Sequence, residues 1–104
     1  MANPHAGEVR LFLDGTAFEL KLTLGALAEL EAELNGETAI DLIERFERGG
    51  FSTRDVLALI VAGLRGGGWT GTATDLLAVE IRGGIMAATK AAAQLLARAF
   101  AGAE

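Results

Sequence analysis

Three times along this chain a hydroxyl residue stands three places before an aspartate and opens an apolar run: Thr38 and Asp41, Ser52 and Asp55, Thr72 and Asp75. Each pair reads as a capping box. The hydroxyl accepts a bond from a first-turn N–H and the carboxylate returns one to the cap's own N–H, with aspartate in the place usually held by glutamate. Glycines close what these pairs open. Asn35-Gly36, Gly49-Gly50, Gly66-Gly67-Gly68 and Gly83-Gly84 fall where the apolar periodicity stops.

The apolar spacing between these signals predicts about five short helices. The first is capped by Thr23 and runs to about Leu34, with Leu24, Leu27, Leu30 and Leu34 on its apolar side and Glu29 and Glu33 exposed. The second runs through Arg48 with Ile40, Ile43 and Phe46 inward, and the third carries Val56, Leu57, Ile60, Val61 and Leu64. Phe51, just before the Ser52 cap, is placed to staple onto the helix that follows. A short fourth helix holds Leu76, Leu77 and Val79. The last runs from about Ile85 to Phe100. Ile85, Ala88, Ala92, Leu95 and Ala99 share one side, and Lys90, Gln94 and Arg98 the other.

Ahead of the helices the period changes from three-and-four to two. Val9, Leu11 and Leu13 alternate with Arg10 and Phe12, Asp14-Gly15 follows, and Phe18, Leu20 and Leu22 alternate with Glu19 and Lys21. Asp-Gly tolerates the positive φ angles of a tight hairpin turn, so residues 8–22 are predicted as a β-hairpin with one face buried. A lone hairpin is marginal in water and needs helices to cover it. The expected fold is α+β: an N-terminal two-stranded antiparallel β-hairpin packed on a bundle of about five short helices. We expect one domain over 1–104, with 1–7 a loose N-terminal end, 8–22 the hairpin and 23–101 the helical part.

Several functions lack the material they need. There is no cysteine, and His5, the one histidine, lies in the expected loose end. Thiolate metal sites and Ser-His-Asp or Cys-His arrangements are thereby removed. Glu29 with Glu33, and Asp41 with Glu44, read as solvated helix acids, and no calcium-type loop is present. Gly66, Gly68 and Gly71 fit the spacing of a dinucleotide loop. That loop works after a parallel strand, whereas here a helix precedes it, so the glycines are expected to form a flexible connector. No catalysis, cofactor, metal or small-molecule substrate is expected.

Charge and hydropathy narrow the partners. Residues 1–55 carry 11 acids and 5 bases, and residues 56–104 carry 3 acids and 4 bases. A net charge of -5 concentrated in the first half argues against nucleic acid and suits a basic partner, or head-to-tail self-association. Val56 to Leu64 is too short an apolar run for a membrane, which needs about 20 residues. The first residues show no secretory pattern, so a soluble cytoplasmic protein is expected. Trp69 sits among the glycines, either as a plug between the third and fourth helices or as an anchor for a partner. Leu96, at the edge of the last helix's stripe, and Phe100 four residues on would form a small apolar strip. Trp69, Leu96 and Phe100 are therefore the candidate partner-binding residues, the competing view being that all three complete the core.

Gly7-Glu8-Val9, Leu13-Asp14-Gly15, the segment Leu22-Thr23-Leu24-Gly25-Ala26-Leu27-Ala28-Glu29-Leu30-Glu31, and Phe51-Ser52-Thr53-Arg54-Asp55-Val56-Leu57 followed by Ala62-Gly63-Leu64-Arg65-Gly66 carry a likeness. Over most of residues 7–100 the chain resembles the gene transfer agent family of small phage-type tail proteins. The resemblance implies one of two roles. One is a tail assembly chaperone that coats the tape-measure protein before the tube polymerises, which the mainly helical, acidic character favours. The other is a structural tube or connector subunit, particle-associated. Tape-measure or other tail proteins are the implied partners, with a homo-oligomer as a further expectation. A free-standing small regulatory binding protein is the remaining alternative.

Overall fold

A computed structural model describes residues 8–100. Strands β1 (Glu8–Leu13) and β2 (Thr16–Lys21) precede helices α1 (Leu24–Glu33), α2 (Ala39–Arg48), α3 (Thr53–Gly66), α4 (Ala73–Leu77) and α5 (Gly84–Phe100). The α+β expectation holds: one antiparallel hairpin followed by five helices.

The hairpin forms because its turn and its alternation agree. Asp14 (φ 50°) and Gly15 (φ 84°) take the two left-handed positions of a two-residue turn, and the pairing runs Leu13 to Thr16, Leu11 to Phe18 and Val9 to Leu20. Val9, Leu11, Leu13 and Leu20 bury one face, and Leu22 continues it just past β2. Arg10 and Glu19 pair across the other face at 3.2 Å.

Both edges of the hairpin meet other segments. Alternate residues of a strand turn their backbone groups away from the partner strand. On β1 the Phe12 carbonyl accepts from the Arg82 N–H at 3.0 Å, and Leu13 bridges Ile81. Asp14 anchors the same segment twice: its N–H donates to the Glu80 carbonyl, and its Oδ1 accepts from the Glu80 N–H. The Arg82 guanidinium then lies 4.1 Å over the Phe12 ring. On β2 the Glu19 and Lys21 carbonyls face the end of α3. A Cβ on Gly66 would collide with the Lys21 carbonyl oxygen, and one on Gly67 with that of Glu19. Gly66 and Gly67 are thus close-packing positions at the sheet edge, not the flexible connector expected from sequence, while Gly68 (φ 107°) takes a left-handed turn in open space.

The predicted helix starts are all present. Thr38 with Asp41, Ser52 with Asp55 and Thr72 with Asp75 each close a capping box, and the Thr23 hydroxyl accepts from the Ala26 N–H. α3 is the central element, packed against β2, α1, α5 and α4. Leu59, Ile60 and Leu64 of α3 form the middle of the core, with Leu20, Leu30, Leu42 and Leu95 around them. At Gly63 an added Cβ would come within 2.7 Å of Leu95 Cδ1, which is how closely α5 approaches.

Several side chains expected inside are outside. Leu24 is 86% exposed, because at about 100° per residue it points nearly opposite to buried Ala26 and Leu30. In α2 the buried residues are Ala39 and Leu42, which turns Ile40 to solvent and leaves Ile43 and Phe46 half-buried. Leu77 sits one step round from buried Leu76 and is exposed. Ile85 stands in the first turn of α5, ahead of Ala88 where the covered face begins. Phe51 stacks on Phe46 of α2 at 4.4 Å, tying α2 to the start of α3.

Candidate functional site

The chemistry-bearing side chains are committed to structure. Asp55 does more than cap α3. Arg45 donates to both its carboxylate oxygens, at 3.1 and 2.9 Å, while the Ser52 N–H donates to Oδ2. Burial pushes the Asp55 carboxyl up, but Arg45 and Ser52 outweigh it and hold the group below the usual aspartate value. The bond to Asp55 likewise raises Arg45, which also pairs with Glu37 at 2.9 Å. Glu29 pairs with Arg65 at 3.0 Å and Asp41 accepts from the Thr38 N–H. Among the described residues no group of three or more histidine, cysteine, aspartate or glutamate side chains is placed to hold a metal. Nor is any helix among them long and apolar enough to cross a membrane. His5 lies outside the described residues.

The apolar strip expected of Leu96 and Phe100 does not form at the surface. Leu96 is 4% exposed and belongs to the core. α5 packs against both α3 and β1, so its covered arc is wide enough to take in Leu96 beside Leu95. Trp69 is half-buried against the core, its backbone N–H donating to the Leu64 carbonyl at 2.9 Å and its indole filling the space over Gly71. Phe100 is 42% exposed and remains available at the end of α5.

Two larger surfaces are better placed. The first is a groove of about 830 Å³ between α1, α3 and the start of α4. Half-buried Leu34, Leu57, Ala58 and Val61 lie along it. Its lining holds four carboxylates (Glu29, Glu33, Glu37 and Asp55) against two guanidinium groups, Arg54 and Arg65. The second is the uncovered side of α5. Met86, Lys90, Ala93, Ala97 and Phe100 step four and three residues apart and all are exposed, Met86 at 77%. That spacing is the seam by which one helix packs on another. It is legible in the sequence as a second stripe, opposite the alanine-rich one of Ala88, Ala92 and Leu95. The groove was not legible, because it depends on how far α1 and α4 stand apart across α3.

Comparison with known proteins returns one informative result. A family model described as "Phage tail tube protein, GTA-gp10" matches residues 6–102. No curated protein and no solved structure matches the chain.

Proposed function

The chain belongs to the gene transfer agent family of phage tail proteins that this match describes, and from that membership we propose that it is a structural subunit of the tail, of tube or connector type. The observation that carries this reading is the match over residues 6–102 to a family described as a tail tube protein. The two uncovered surfaces suit a part that works by contact, and the reading includes no catalytic step, metal or cofactor. In it the chain is particle-associated and its partners are other copies or neighbouring tail proteins.

The assembly-chaperone role is the second reading. What favours it is the helical content: a two-stranded sheet offers little of the wall that a β-built tube needs, and an acidic groove with apolar lining suits a basic amphipathic segment of a tape-measure protein. The free-standing regulator draws no support from the family match. Quantitative mass spectrometry of purified particles separates the two tail roles. A subunit is present in fixed ratio to the other tail proteins. A chain missing from particles, and recovered from lysate on the tape-measure protein, overturns the subunit reading in favour of the chaperone.

A further inference from the structure

We propose that the groove between α1, α3 and α4 receives the uncovered face of α5 from a second copy, so that the protein associates head to tail. The proposal rests on the tail-subunit reading and names the surfaces that such a subunit would use.

The two surfaces differ in chemistry in a complementary way. α1 carries Glu29, Glu31 and Glu33 and no base, while α5 carries Lys90 and Arg98 and no acid. The groove offers apolar lining; Arg65 pairs with Glu29 and Arg45 with Glu37 and Asp55, so the acid its rim presents outside these ion pairs is exposed Glu33. The α5 face offers exposed Met86 and Phe100 at its two ends, alanines between them that let a helix approach closely, and Lys90 in the middle. A single Lys on an apolar seam costs desolvation unless a carboxylate meets it, and Glu33 on the groove rim is the carboxylate placed to do so.

The geometry of α3 adds direction. Arg54, Ala58, Val61 and Arg65 face the groove along one side of α3, whereas Gly63 meets Leu95 of α5. At about 100° per residue these two sides lie nearly opposite. The groove and α5 therefore flank α3, and the uncovered face of α5 points away from it. A pair of different, complementary patches makes a heterologous contact, which yields rings or filaments and not closed twofold dimers.

Charge reversal tests the contact in trans. Glu33→Lys and Lys90→Glu both change exposed side chains, so neither disturbs the fold, which circular dichroism checks. Sedimentation velocity of the full chain across a concentration series should show each single variant associating about tenfold more weakly than the unchanged protein. An equimolar mixture of the two variants should recover association, because the groove of each then meets a face of opposite charge on the other. No recovery on mixing overturns the proposal, as does association that neither variant weakens. The tail-subunit reading stands or falls separately, on whether purified particles contain the chain. A chain abundant in particles that ignores both reversals keeps the role and loses this interface. A chain absent from particles that still shows recovery on mixing keeps the interface and loses the role.

Discussion

Asp55 joins three tasks in one carboxylate: it caps α3, holds Arg45 by two bonds and so ties α2 to α3. Removing it strips a cap and leaves a half-buried guanidinium short of its main partner. Asp55→Ala should cost about 2–4 kcal/mol, read by urea unfolding. The pH dependence follows from the direction of its shift. The folded-state value lies below the ordinary 3.8, so the Asp55 contribution is full above that value and is lost as pH falls through the lower folded value. Acid unfolding of the parent and of Asp55→Ala, compared below pH 4, should show the gap between them closing. A constant gap would mean that the carboxylate charge is not what stabilises. Gly66 is the other sensitive residue. A methyl there meets the Lys21 carbonyl, which belongs to backbone and cannot swing aside. Gly66→Ala should destabilise by about 2–4 kcal/mol in the same assay, although alanine would otherwise favour the helix.

Among the elements, α4 depends most on its cap. It has five residues, buries Leu76 alone, and is opened by Thr72 and Asp75. An isolated helix of that length does not persist in water. Thr72→Ala should therefore raise amide exchange across residues 73–79 by roughly tenfold while leaving global unfolding within about 1 kcal/mol of the parent. Equal protection in the two proteins would show that packing against α3 suffices. The same local grammar explains how much of the fold could be read from sequence. Hydroxyl-x-x-aspartate pairs, Asp14-Gly15 and the glycine stops act within a few residues of themselves, so every strand and helix was foreseen. Which side of each element faces inward depends on what covers it. That is why Leu24, Ile40 and Ile85 were placed inside and lie outside, and why Leu96, open between a partner strip and the core, could be assigned to the core only from the fold. The contact of Gly66 and Gly67 with β2 and the bridge from Ile81 to Leu13 join residues more than 40 positions apart, and no local signal announces them.

At the scale of the molecule, a small sheet is laid on a helical body, with α3 as the member that touches nearly every other part. Of the candidate surfaces, sequence found Phe100 and the uneven charge, while the groove emerged only once α1, α3 and α4 stood together. The covering of the hairpin edges has a consequence for how such a chain behaves when crowded. Strands normally recruit other strands through open backbone groups, and a bare edge at high local concentration invites cross-β aggregation. Here the glycines of α3 lie along the β2 carbonyls and residues 80–82 are stitched to the turn end of β1. Many copies can be gathered at one assembly point with β2 and the turn end of β1 kept private, so that recognition between them is left mainly to helices and side chains.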